Sequence, residues 1–271
     1  EKISRIVWGD DCENKEENIV DVGEMYVIPG LIDIHFHGCM GQDFSDASLQ
    51  GLCQMASYEL QNGITSICPA TMTLPEETLL KIVSNGKLLG QSESSEKMAN
   101  LLGFHLEGPF ISKEKKGAQD DKYILAPDIA MFRRFLDGSD GYLKLTTIAP
   151  EIPGAMEFIE AFHKEVAISL GHTSSDYETA FLAFQKGANH VTHLFNAMPS
   201  FHHRDTGVIG AAVAAATDAK TKMELVAKFS EIFRNIYECR QAYVNMIQTA
   251  SSVLNVVDEM LRLEMITQDE Y

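Results

Sequence analysis

The chain has 271 residues, 45% of them hydrophobic and 23% charged, with a formal net charge of −17 at neutral pH. That length supports a sizeable core, as one large domain or two small ones. The acidic balance argues against wrapping nucleic acid or sitting on an anionic membrane, although an anionic small molecule could still be held by a local cluster of positive charge. No apolar run approaches the ~18–20 residues that span a bilayer. The opening EKISRIVWGDD carries no hydrophobic leader core and no initiator Met. Cys12, Cys39, Cys53, Cys68 and Cys239 show no CxxC spacing, which predicts reduced thiols in a cytoplasmic protein.

Residues 1–30 read as short strands and polar turns of a small β domain, ending at Pro29-Gly30. Six strand-like runs follow between residues 31 and 216: LIDIHFHG (31–38), ITSICPAT (64–71), LLGFHLEGP (101–109), LKLTTIAP (143–150), VAISLGHT (166–173) and HVTHLFNA (190–197). Amphipathic stretches such as LQGLCQMASYELQNG (49–63) and YETAFLAFQKGAN (177–189) separate them. Strands alternating with helices of that length predict an α/β fold with a parallel sheet. Six such runs with no obvious sheet edge favour a (β/α) barrel of the TIM type over a doubly wound sheet. From Ala211 to Tyr271 there is neither Gly nor Pro. Leu225, Phe229, Ile232, Phe233 and Ile236 then recur at helical spacing, so residues 217–271 are expected to be an α-helical tail.

In the first, third, fifth and sixth runs, His or Glu falls at or near the C-terminal end, the face on which such barrels build their sites. His35 and His37 are two apart, so on a strand they would share a face. Either a metal platform or a structural pair would produce that spacing. His172 and His193, each taken singly, read as hydrogen-bonded structural histidines, and Glu107 alone as a helix cap or the partner in a buried ion pair. Together, four histidines and one glutamate from the ends of four strands point to a divalent metal site, with zinc foremost and iron, manganese or cobalt as alternatives. Glu107, set between an apolar run and Gly108-Pro109, is then a ligand at the barrel mouth. His105 shares the Glu107 face and could line the pocket, whereas His163 is expected on an exposed helix and His190 in a structural position. The loop NAMPSFHHRDTG gathers Asn196, His202, His203 and Arg204, where Arg204 could hold a phosphate or carboxylate or simply pair with Asp205. SKEKKGAQD (112–120) reads as a charged solvent loop, with a flap that carries Gln119 to a substrate as the alternative.

PGLIDIHFHG, HLEGPF, KKGAQD, GHTSS and THLFNAMPSFHHRDTG resemble, in order, the motifs of the N-acetylglucosamine-6-phosphate deacetylases of the amidohydrolase superfamily, over about residues 25–214. HLEGP is the specific element, because many relatives place a modified lysine where this family has glutamate. The resemblance implies a metal held by Glu107, His172 and His193, with His35 and His37 at a second metal position. It implies sugar contacts from Asn196, Ala197 and Gln119, and a 6-phosphate contact from Arg204. The implied reaction hydrolyses the acetamide of N-acetylglucosamine 6-phosphate to glucosamine 6-phosphate and acetate. A homodimer is implied as well, since members often lend a histidine to the neighbouring subunit.

Beyond residue 214 the pattern departs from that family. The later strands, the final aspartate that serves as general acid and base, and the closing β-sandwich strands are not recognisable, so an incomplete barrel with a remnant sandwich is expected. Asp218, in the tripeptide Thr217-Asp218-Ala219, is the one candidate for the acid. The alternatives are a homologue that binds metal or sugar phosphate with impaired turnover, or a helical assembly module carried by the tail.

Overall fold

The computed structural model describes residues 20–91 and 97–216, apart from residues 21 and 24. Most of the expected β domain at 1–30, all of the expected helical tail at 217–271, and Asp218 lie outside the described residues. In chain order the elements are β1 (Leu31–Asp33), the short antiparallel hairpin β2 (Gly38–Cys39) and β3 (Gln42–Asp43), α1 (Leu49–Gln61), β4 (Ile64–Ile67), α2 (Glu76–Gly90), β5 (Asn100–Leu101) and β6 (Phe104–Glu107). There follow α3 (Ile129–Ser139), β7 (Leu143–Ile148), α4 (Ala155–Phe162), β8 (Ala167–Leu170), α5 (Tyr177–Gln185), β9 (His190–Val191) and α6 (Gly207–Ala215). Several helices start where a polar side chain covers a free backbone amide. Ser48 accepts from Gly51, Asp128 from Met131 and Asp176 from Thr179.

All six strand-like runs form parallel pairings. β1, β4 and β5 make one sheet, and β6, β7, β8 and β9 make another. The two sheets join beyond the end of β4, where the His105 amide donates to the Pro69 carbonyl at 2.9 Å and the Thr71 amide donates to the His105 carbonyl at 3.0 Å. Neighbours therefore follow chain order, each reached through a helix, which is the βα progression of a barrel wall.

One expectation needs correction here. The run 101–109 is not a single strand but two, because β5 pairs with β4 while β6 pairs with β7. The break falls at Gly103, where a Cβ would sit 2.4 Å from the Tyr142 carbonyl oxygen. That close approach lets the chain leave one neighbour and join the next.

Within β6 the pleat divides the side chains. Phe104 and Leu106 are fully buried in the hydrophobic core, Phe104 lying against Phe44 with ring centroids 5.9 Å apart. His105 and Glu107 take the alternate positions on the opposite face. The core between strands and helices is densest around Phe110, Phe132, Phe158 and Phe162, none of which is solvent-exposed. Phe132 meets Phe158 and Phe162 edge-on at centroid distances of 4.7 Å each, and Phe110 meets Phe158 at 5.3 Å. Among the described residues no helix is long and apolar enough to cross a membrane.

The aromatic cluster holds α3 and α4 against β6–β8, so truncating its central ring should be costly. Phe158→Ala is expected to lose about 3–5 kcal/mol of stability, read from the denaturant midpoint at unchanged slope. A loss below ~1 kcal/mol would show that the cluster is not cooperative.

Candidate metal centre

Glu107 ends β6 with only 1% of its surface exposed. An ionised carboxylate at that depth is unfavourable unless it is matched by donors or cations, and the strand ends supply the match. Its Oε1 lies 2.7 Å from His193 Nε2, 3.0 Å from His172 Nε2 and 3.7 Å from His35 Nε2. Its Oε2 lies 3.0 Å from His37 Nε2 and accepts from Gln119 Nε2 at 3.1 Å. The structure thus brings together all five residues expected to bind metal. Two sets of donor atoms each lie within 4.8 Å of one another: His35, His37 and Glu107, and Glu107, His172 and His193.

The outer nitrogens of two of these rings are anchored. His172 Nδ1 faces the Lys115 carbonyl at 2.8 Å, and His37 Nδ1 faces the Ala70 carbonyl at 3.1 Å. An Nδ1–H donated to a carbonyl turns Nε2 inward with its lone pair, the arrangement that orients ligating histidines. His35 Nε2 is buried with no hydrogen-bond partner. A cation would satisfy that orphaned atom and the crowded acceptors around it, so the residues fit a divalent metal.

Without a cation, protons carry the balance. Burial pushes the Glu107 carboxyl up, but hydrogen bonds from His172, His193 and His37 outweigh it and hold the group well below the usual carboxylate range. The hydrogen bond to Glu107 raises His37. Burial acts to lower His172, and its bond to Glu107 reverses the sign. Burial leads in lowering His35 and drives fully buried His105 well below the ordinary imidazole range.

His35 and His37 lie just past the end of β1 rather than within it, in contrast to the single strand expected for residues 31–38. Ladder-like bonds continue past β1, from Cys68 N to Asp33 O and from Ala70 N to Phe36 O, both 2.8 Å, and the two rings still converge at 5.2 Å. His172 and His193 sit two residues beyond β8 and β9 in left-handed backbone, with φ of 47° and 54°. Such conformations cost a non-glycine residue about 1–3 kcal/mol and persist where surrounding contacts impose them. For His172 those contacts are visible. Glu151 accepts from the Ser174 amide at 2.6 Å and from the Thr173 hydroxyl, while the Thr173 amide donates to the Ala197 carbonyl at 3.0 Å.

Gln119 overturns the solvent-loop expectation for residues 112–120. It is buried, donating to Glu107 while its Oε1 accepts from the Thr73 amide at 2.6 Å. The lysines of the segment point the reading outward, but the chain turns inward at its end. Asn196, His202, His203 and Arg204 are exposed on the loop after His193, and among the described residues no ion pair engages Arg204. His163 is half-buried at the end of α4, not exposed, with Nδ1 3.2 Å from the Ile159 carbonyl. His190 is half-buried in β9 and lowered by desolvation. Sequence reasoning missed Thr147, Ser169 and Thr192, buried hydroxyls behind His105. Their one signal is a polar residue recurring within otherwise apolar strands.

A model described as the amidohydrolase family matches residues 26–264. An N-acetylglucosamine-6-phosphate deacetylase of Bacillus subtilis is 38% identical over 215 residues, covering 79% of this chain and 54% of that protein. The enzyme of the same name from Bos taurus is 38% identical over 70% of this chain and 47% of its own length. Among solved structures, the N-acetyl-D-glucosamine-6-phosphate deacetylase of Mycobacterium smegmatis superposes with a TM-score of 0.65 at 31% identity, over 69% of this chain and 48% of that one. A mutant of that enzyme has been solved in complex with N-acetyl-D-glucosamine-6-phosphate. The chain spans about half the length of the curated relatives it matches.

The turn after Glu107 offers a direct test of how tightly this centre is built. Gly108 has φ of +94°, and a Cβ there would fall 2.1 Å from Thr73 Oγ1, next to the amide that holds Gln119. Gly108→Ala should destabilise the protein by about 1–3 kcal/mol, measured by thermal or denaturant unfolding. An unchanged stability would show that the turn relaxes freely.

Proposed function

The chain belongs to the amidohydrolase family, with an α/β fold of the TIM type, and on that footing we propose that it hydrolyses the acetamide of N-acetylglucosamine 6-phosphate to glucosamine 6-phosphate and acetate. The observation that carries the reading is one buried glutamate shared by four histidines, in a chain similar to deacetylases of that name over most of its length. Amidohydrolase chemistry is metal-dependent, and the residues present suit a divalent ion, zinc foremost.

In this reading Glu107, His172 and His193 would hold the ion, with His35 and His37 offering a second group. The ion, when bound, lowers the pKa of a water and polarises an amide carbonyl, so hydroxide is available near neutral pH. The chain's own residues set the geometry. Glu107 stays ionised, Gln119 orients it, and the carbonyls of Lys115 and Ala70 hold His172 and His37 with Nε2 inward. Asn196 and Ala197 would contact the sugar. Arg204 would hold the 6-phosphate through charge-assisted bonds. The departing amine needs a proton, a contribution typically worth ~10²–10⁴-fold, and Asp218, outside the described residues, is the candidate donor. A cytoplasmic homodimer completes the reading: the resemblance supports the dimer, and five cysteines without CxxC spacing support a reducing compartment.

Acetate release from N-acetylglucosamine 6-phosphate, assayed with added zinc or cobalt, tests the activity. Glu107→Ala should abolish both turnover and retained metal, the latter measured by elemental analysis. Asp218→Asn should lower turnover by at least about 10²-fold with metal content unchanged. Metal retained without acetate release by the parent chain would replace the enzyme reading with a binding one, and absence of both would remove the metal reading.

Arg204 is tested by substrate comparison. Arg204→Ala should raise KM for the phosphorylated sugar by about tenfold or more, in line with ~1.5–3 kcal/mol for a bond to a charged group, and leave the unphosphorylated sugar unaffected. Equal losses on both sugars would assign Arg204 a structural part.

A further inference from the structure

Behind the histidine cluster lies a row of buried polar groups that the proposed reaction does not use. His105 is fully buried on the inner face of β6, with its Nδ1 3.0 Å from His35 Nδ1 and its Nε2 2.6 Å from Thr147 Oγ1. Thr147 Oγ1 lies 2.9 Å from Thr192 Oγ1, which lies 2.6 Å from Ser169 Oγ. Thr147 and Ser169 are fully buried and Thr192 nearly so. We propose that His105 is a positioning residue that sets the tautomer of His35, through the hydrogen-bond chain His35–His105–Thr147–Thr192–Ser169, and thereby makes His35 Nε2 available to a cation. The proposal rests on the metal reading above and extends it to groups that touch no substrate.

The argument is one of counting hydrogens. Two imidazoles facing each other Nδ1 to Nδ1 form a hydrogen bond only if one donates and the other accepts. If His105 carries its hydrogen on Nδ1, His35 must accept there and carry its own on Nε2, which then has no lone pair for a metal. If His105 carries its hydrogen on Nε2, it donates to Thr147 Oγ1, accepts from His35 Nδ1–H, and leaves His35 Nε2 with a free lone pair. The row of hydroxyls accommodates the second arrangement, since Thr147 can accept from His105 and pass its own hydrogen to Thr192, and Thr192 its own to Ser169. Hydroxyls can also run the other way, so the choice rests on His35 Nε2, where a buried N–H would find no acceptor within hydrogen-bond distance. His35 Nε2 meets the other half of this description, because it is buried, lacks a hydrogen-bond partner and is directed at Glu107 from 3.7 Å. His172 and His37 receive the same service from backbone carbonyls, which can only accept. His35 has no such carbonyl, and an imidazole with two possible tautomers takes its place, so a further group must fix the choice.

Thr147→Val tests this, since it keeps the shape of the side chain and removes the hydroxyl that accepts from His105. The nitrogen shifts of ¹⁵N-histidine in the metal-free full chain read the tautomer directly. Cobalt or zinc titration against a competing chelator reads the affinity. In the parent chain His35 Nε2 should be unprotonated. Thr147→Val should move the hydrogen onto Nε2 and weaken the ion held by His35, His37 and Glu107 by about 10–100-fold, the usual effect of losing a partner behind a ligand. Thr147→Ser, which restores the acceptor, should recover both readings, and this separates the chain from a mere packing effect. The proposal is overturned if His35 Nε2 is protonated in the parent chain, or if Thr147→Val leaves the tautomer or the affinity unchanged. A parent chain that binds no cation sinks the metal reading instead, while the tautomer comparison still decides the role of His105.

Discussion

The arrangement turns on one charge. Glu107 is a carboxylate placed where a buried strand ends, and a charge at that depth is tolerated only with partners on every side. Three imidazoles and one amide provide them, arriving from beyond the ends of β1, β8 and β9 and from the loop after Ser112, with the His35 ring a little farther off. The partners come from several segments because a single strand or helix cannot surround a carboxylate. The barrel-like succession of parallel strands is what brings those segments to one point.

The segments that carry two of the histidines to Glu107 also hold unfavourable backbone. His172, His193, Phe195 and Ala197 all have positive φ, and strain of that kind survives only when contacts outside the residue over-determine it. Glu151 latches the loop carrying His172, and the Thr173–Ala197 backbone bond ties that loop to the one carrying His193. Two loops that would otherwise move separately are thereby fixed to each other. This favours a centre whose donor atoms are in place before any ligand arrives, which reduces the ordering cost on binding.

Much of this was legible beforehand, for reasons that can be named. His35, His37, Glu107, His172 and His193 stood out because charged or titratable residues at the ends of apolar runs have no packing explanation, and because the order of runs implied that their ends would meet. Gln119 was misread because its local surroundings, SKEKKGAQD, are those of a solvated loop, and its burial depends on Thr73 and Glu107, 46 and 12 residues away. The split of residues 101–109 into two strands was likewise hidden, since it arises from the approach of Tyr142 to Gly103 across the sheet.

The sequence by itself determined the class of fold, the alternation of strands and helices, and which five side chains would form the centre. These follow from local periodicity and from the chemistry of each residue type, both of which are properties of short stretches. Only the tertiary structure decided which nitrogen of each histidine faces inward, that His105 stands behind His35, and that Thr147, Ser169 and Thr192 line up behind His105. Threonine and serine in a strand look like ordinary residues of a pleated surface. Their role depends on cross-strand distances below 3 Å, and such distances are set by register and curvature across β6–β9, which no single segment encodes.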